Sequence, residues 1–388
     1  MKSNYDVLGN YIRLIDTRNK DNVTNKVMGI NIDKFFMPSV ANVIGTDLSK
    51  YKLITKGKFA CNPMHVGRDE RLPVALYEED EPALVSPAYF MFEIIDNNVL
   101  DENYLMMWFR RAEFDRICWL HTDGSVRGGI TWDDICRMEL PVPDIGEQRK
   151  IVVAYKVVDE RIKLKRRIND NLLFQAKTWF SQFMTYVSGT ERLPVGWKSA
   201  KVGDFCKDNV ANLSKADKFQ AILYLDTGSI TENYIHSLQE LNPLIDEVPS
   251  RAKRKVQQGD IVYSTVRPNL KHYGLLHNPP HNLIVSTGFA VLHNIDISVS
   301  NEYLYMWLTN NTVLEVLQSI AENSVSTYPS LNVNDLLDVE IIVPDSCTLS
   351  ETNKVLHSIF EVIAENNRQI RVLNSSQSVL LPKLFSSR

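Results

Sequence analysis

The segment VLDENYLMMWFRR, residues 99–111, comes back later in the chain as VSNEYLYMWLTN, residues 299–310. Tyr104, Leu105, Met107 and Trp108 fall on Tyr303, Leu304, Met306 and Trp307 at an offset of 199. Four further blocks repeat in the same order. LVSPAYFMF from Leu84 meets IVSTGFAVL from Ile284 at an offset of 200, and KGKFACNPMH from Lys56 meets QGDIVYSTVR from Gln258 at 202. Ser125-Val126 and Asp134 meet Ser324-Val325 and Asp335, and LGNYI from Leu8 meets VGDFC from Val202. Chance similarity does not keep its order over five blocks, so the chain is an internal duplication. Its 388 residues give each copy enough length for a core of its own.

Each copy reads as a mixed α/β domain followed by a long helix. Apolar, β-branched runs predict strands over 58–61, 83–95 and 138–142, and again over 260–266, 283–292 and 339–343. Apolar residues at i, i+3 and i+4 predict helices over 103–114 and 302–320. Asp133-Asp134 and Asn334-Asp335 are expected to start short turns or helices. Both copies then run into a strand that ends in Val-Pro-Asp. In MELPVPDIGEQRKIV, from Met138, Pro141 and Pro143 stop the ladder because proline lacks the N–H donor. Asp144 and Glu147 have capping-box spacing, as do Thr348 and Glu351 in the second copy. Lys150-Ile151 aligns with Lys354-Val355, so three residues are gained before the second helix.

The first long helix is expected over about 146–185. Ile151, Tyr155, Val158, Ile162, Leu172, Ala176, Trp179 and Phe183 recur at coiled-coil-like spacing, interrupted by Lys165 and Asn169. The second shows Val355, Ile359, Val362, Leu373, Leu380 and Leu384, with Asn366 between. Neither helix can bury its stripe alone, so an antiparallel pair is expected, with the polar breaks setting register or leaving a face for another subunit. The fold class is therefore α+β: two mixed α/β domains at 1–144 and 191–344, with spacer helices at 145–190 and 345–388 pairing as an antiparallel coiled coil.

Composition narrows the function. Five scattered cysteines without a C-x-x-C pair point to reduced thiols, not disulfides or zinc. No apolar run has the ~18 residues a membrane span needs, and MKSNYDVLGNY has no apolar leader, so a cytoplasmic protein with no membrane partner is expected. Net charge is −4. Residues 145–190 carry nine Lys/Arg against four Asp/Glu and 345–388 five against four, which leaves −10 on the rest. The cluster Lys163, Lys165, Arg166 and Arg167 suits a phosphate, an acidic partner or a solvated face. No P-loop, G-x-G-x-x-G or H-E-x-x-H pattern is present. HNPPH, from His277, approaches the Asn-Pro-Pro-aromatic motif of amino-methyltransferases, but its fourth residue is His281 and no glycine-rich cofactor loop accompanies it; a tight turn is expected. No catalytic residue or metal site is assigned.

The LPVPDIGEQRKIV junction, the LPVGW restart at 193–197 and the duplication together resemble the specificity subunit of type I restriction–modification systems. The second junction departs from the pattern, with Thr352 where Gln148 stands in the first. The resemblance implies that each globular domain is a target recognition domain reading one half of a bipartite sequence in double-stranded DNA. It implies that the helices set the spacing and bind methyltransferase (modification) subunits, alongside a restriction/translocase subunit. S-adenosylmethionine, ATP and Mg would belong to those partners, with no cofactor in this chain. The alternatives are a DNA adenine methyltransferase with its own recognition domains and a non-DNA coiled-coil scaffold. The candidate DNA contacts are Asn62, His65, Arg68 and Arg71 in one loop, and Arg127 in a glycine-flanked one. In the second copy they are Ser264, Arg267, Asn269 and Lys271, with Arg251, Lys253 and Arg254 as phosphate contacts. Helix pairing or subunit docking is assigned to Ile151, Tyr155, Val158, Ile162 and Leu172, and to Val355, Ile359, Val362, Leu373 and Leu380.

Overall fold

The computed structural model describes residues 5–39, 45–64, 66–122, 128–188, 192–214, 216–324 and 329–385. The chain forms two compact units, Met1–Lys163 with Arg371–Arg388, and Leu164–Ile370. The expected boundaries set each long helix, 145–190 and 345–388, apart from the domains, and the compact units divide each helix between them.

Unit 1 is built on an antiparallel four-stranded sheet in the order Ile12–Leu14, Phe90–Ile94, Phe59–Cys61, Val74–Leu76. Unit 2 repeats it with Cys206–Asp208, Phe289–Asn294, Ile261–Ser264 and Tyr273–Leu275. Both sheets thus carry the same topology from the repeated blocks. The first and last strands of each copy also close on one another: Tyr5–Val7 pairs with Glu139–Pro141, and Lys198–Lys201 with Glu340–Val343. Unit 2 elaborates a further sheet, Gln239–Leu241, Ile222–Leu225, Leu283–Ser286, Ala252–Lys255, where unit 1 pairs Lys52–Ile54 with Ala83–Val85.

Three sequence expectations need correction. The runs 83–95 and 283–292 are each two strands: Pro87 interrupts the first, where Tyr89 N–H donates to Ser86 O (3.1 Å), and Thr287-Gly288 separates Leu283–Ser286 from Phe289–Asn294 in the second. The helix at 103–114 is two, Glu102–Phe109 and Ala112–Leu120, since Arg110 N–H folds back onto Met106 O and Met107 O and Arg111 is extended. Its repeat breaks in the same place, into Asn301–Leu308 and Asn311–Ser324. Thr348 is not the cap of the second long helix. Asp345 is: its Oδ1 accepts from Cys347 N–H (3.0 Å) and Thr348 N–H (3.2 Å), so the helix starts at Ser346. The counterpart of Asp345 in the first copy is Asp144, whose Oδ1 accepts from Glu147 N–H at 3.1 Å. Each aspartate directly follows the proline that ends the strand, Pro344 and Pro143.

The long helices span Ile145–Ser188 and Ser346–Leu384. Within unit 1, Val152 from the first helix and Leu381 and Phe385 from the end of the second join the core around Tyr104, Trp108 and Phe114. Within unit 2, Ala176 and Phe180 from the first helix and Leu349, Leu356 and Phe360 from the second join the core around Tyr303, Trp307 and Leu317. The two helix segments of unit 2 run antiparallel, with Lys165 on Asn366 and Asn169 reaching Ile363 O. No helix among the described residues is long and apolar enough to cross a membrane.

Candidate nucleic-acid interface

In unit 2 the segments expected to touch DNA converge at one end of the sheets. The hairpin between Ile261–Ser264 and Tyr273–Leu275 carries Arg267, Asn269 and Lys271. Thr265 N–H donates to Gly288 O (2.9 Å), and the neighbouring Thr287 N–H donates to Arg251 O (2.8 Å). This backbone chain brings the exposed Arg251 to the hairpin end. Lys253, also exposed, lies next on the edge strand Ala252–Lys255. Arg267 N–H donates to Pro329 O at 3.0 Å, and Val266 bridges Ser330, so the segment after helix Asn311–Ser324 closes the other flank.

Unit 1 repeats the arrangement. The loop at 62–73 joins the equivalent strands, and Gly67 N–H donates to Gly128 O (3.0 Å) while Ile130 N–H donates to Pro63 O (3.1 Å). A Cβ on Gly129 would stand 3.0 Å from Pro63 O, so this close approach suits glycine. The two loops singled out in the first copy are therefore neighbours. His65 and Arg127 lie outside the described residues, as does the side chain of Arg68. Asn62 uses its Oδ1 to accept from Met64 N–H (3.2 Å). Arg71 meets Asp33 at 2.9 Å and Asp115 at 3.6 Å. Asp115 is itself buried, paired with Lys34 at 2.6 Å.

Two candidates change role. Ser264 is buried at 2% exposure and donates to Val266 O at 3.0 Å, so it shapes the hairpin from inside. Arg254 turns inward to Asn209 Oδ1 and Phe289 O, and burial lowers its pKa. Ser264 ends a strand buried along its whole length, and Arg254 points to the face opposite the exposed Lys253, which a dense basic run does not reveal. Lys271 sits 3.5 Å from Glu232, which also meets Lys177 at 2.5 Å. HNPPH forms the expected turn, with Asn278 in the left-handed region and Leu283 N–H donating to Pro280 O (2.9 Å).

The helix-pairing assignments divide. Ile162 is buried, and Ile151, Tyr155, Val158, Leu172, Ile359 and Leu373 are partly buried. Val355, Val362 and Leu380 are 47%, 48% and 45% exposed, and the buried stripe of the second helix is Leu349, Leu356, Ile363 and Ile370. Those four keep heptad spacing one residue on from Val355 and Val362, with Phe360 and Leu381 buried as well, and the apolar valines beside them hid the difference. A polar layer interrupts the stripe: Asn366 Nδ2 donates to Asn169 Oδ1 and Asn169 Nδ2 to Asn367 Oδ1, both at 2.9 Å, and Lys165 Nζ donates to Asn366 Oδ1 at 3.1 Å.

The junctions hold each domain to its helix. Gln148 is fully buried; its Nε2 donates to Val99 O (2.9 Å) and Pro143 O (2.8 Å), and its Oε1 accepts from Asp101 N–H (2.9 Å). In unit 2, Thr352 occupies that place and a different link appears: Glu302 meets His357 at 3.1 Å and His277 at 3.8 Å. Burial alone would raise the Glu302 pKa, but hydrogen bonds from His277 and His357 outweigh it and hold the carboxyl at about 2. No local sequence pattern signals this histidine–carboxylate cluster. The LPVGW restart is also accounted for: Trp197 stacks on Phe183 with centroids 5.4 Å apart, and its Nε1 donates to Asp345 Oδ2 at 3.1 Å.

Two similar units, each presenting a hairpin end flanked by a second loop and finished by long helices, make a duplicated architecture with the fold of a type I S subunit. The S subunit of a type I restriction–modification system from M. genitalium has this fold, with a TM-score of 0.55 and 14% identity over 99% of this chain and 96% of that one. In sequence the chain is similar to the type I restriction enzyme HindI specificity subunit of Haemophilus influenzae, 26% identical over 191 residues, 49% of this chain and 40% of the relative. That match spans less than half the length of either protein. The chain is also similar to the MjaIX specificity subunit of Methanocaldococcus jannaschii, 25% identical over 312 residues, 75% of this chain and 70% of the relative. No family model matches the chain.

Proposed function

We propose that this chain is the DNA-recognition subunit of a type I restriction–modification complex, reading a bipartite target with one unit per half. The observation that carries the reading is the duplicated hairpin end: equivalent loops stand on a rigid sheet in each unit, with Arg267 and Asn269 exposed on the second. A pseudo-repeated protein suits a target of two separated half-sites. The long helices, which contribute to both units, would fix the number of base pairs between the halves. Their exposed apolar residues, among them Val153, Val157, Val355 and Val362, are suited to docking methyltransferase subunits. Those partners would supply S-adenosylmethionine and the chemistry, a translocase subunit would use ATP and Mg, and this chain would catalyse nothing itself.

Charge supports a division of labour. The chain outside the long helices is strongly acidic, whereas raw affinity for duplex comes mainly from neutralising phosphates. Specificity would then live here and much of the affinity in the partners. Co-expression with a methyltransferase subunit and methylome sequencing tests the reading. Adenine methylation at one bipartite sequence supports it; methylation without such a motif, or none that depends on this chain, overturns it.

A further inference from the structure

The hairpin turn of unit 2 is held more firmly than an exposed loop requires. Arg267 and Lys271, at φ 49° and 57°, are non-glycine residues in the left-handed region on either side of the short turn Pro268–Leu270. That region brings Cβ against the following carbonyl, and such strain persists only where the surroundings impose it. Here they do. Arg267 N–H donates to Pro329 O (3.0 Å), Asn269 N–H to Gln318 Oε1 (3.0 Å) and Lys271 N–H to Pro268 O (2.9 Å), while Pro268 is buried beneath.

What this clamped turn leaves in solvent is a short run of distinct chemistry. Arg267 and Asn269 are exposed, and Leu270, at 47% exposure, stands beside them. A carboxamide matches the N6/N7 edge of adenine, an apolar side chain suits the thymine methyl, and a guanidinium matches O6/N7 of guanine. We infer that this turn reads the major-groove edge of the second half-site, with Asn269 and Leu270 on an A·T pair and Arg267 on a neighbouring G·C pair. The inference rests on the DNA-recognition function proposed above and adds Leu270 and the assignment of bases. A turn already fixed in its reading conformation loses little freedom on binding. Among the described side chains of the first copy's loop, Asn62 and Arg71 are engaged within unit 1.

The test is methylome sequencing of the complex of this chain with its methyltransferase subunit, comparing wild type with Arg267→Ala, Asn269→Ala and Leu270→Ala. Leu244→Ala, at a site 89% exposed elsewhere in unit 2, is the control. Asn269→Ala and Leu270→Ala are expected to relax the same A·T position of the second half-site, and Arg267→Ala an adjacent G·C position, each by about tenfold or more. The first half-site and the control should keep the wild-type motif, and thermal melting of the purified complexes should stay unchanged. Variants that keep the wild-type motif at every position would overturn the inference while leaving the proposed function standing, and so would loss of selectivity spread over both halves. A wild-type complex without a bipartite motif would remove the function and the inference together.

Discussion

Gln148 carries more of the first junction than its single side chain suggests. It bonds two carbonyls and one amide from two segments, 99–101 and Pro143, and removing it takes a buried partner from these partly buried groups. Gln148→Leu should therefore destabilise the chain by about 2–3 kcal/mol, read by chemical denaturation. Glu302 makes a pH-dependent link at the second junction. Its folded pKa, about 2, lies below the ordinary 4.5, so its contribution is present above the unfolded value and fades as pH falls from 4.5 towards 2. Denaturation midpoints measured down that window should drop more steeply for wild type than for Glu302→Gln; parallel curves would contradict the cluster's role.

Among the elements, the long helices separate what pattern reveals from what it hides. Their existence, and the cap at Asp144, were legible because apolar spacing and strand-stopping prolines are local signals. The register of the second helix was not, because valines at 355 and 362 lie beside the buried heptad and look equally apolar. Phe180 in the first helix and Val362 in the second test which side chains the helices bury. Phe180 packs on Tyr303 and Trp307 at centroid distances of 5.6 and 5.7 Å, and Phe180→Ala should cost about 3–5 kcal/mol. Val362→Ala, at an exposed site, should change the stability of the free chain by less than ~0.5 kcal/mol. The candidate site was legible as loops more than as residues. The repeat located both hairpins, but the inward turn of Ser264 and Arg254 depends on strand pairing, which no local pattern records.

For the whole molecule, composition predicts a weak solitary binder. With its acidic domains, the free chain should bind specific duplex far less tightly than its complex with methyltransferase subunits, as titrations over a range of salt concentrations would measure. Equal, strongly salt-dependent affinity without partners would contradict this. The core of unit 1 also has a consequence in time. Leu381 and Phe385 complete it, yet both are synthesised after every residue of unit 2. On the ribosome, unit 2 is a continuous stretch that can close as it emerges, whereas the earlier-made unit 1 must wait with an open core until translation reaches its last aromatic. A nascent chain cut short before Leu381 would leave the core side chains that Leu381 and Phe385 cover, Tyr104 among them, without that packing, a target for chaperones and proteases.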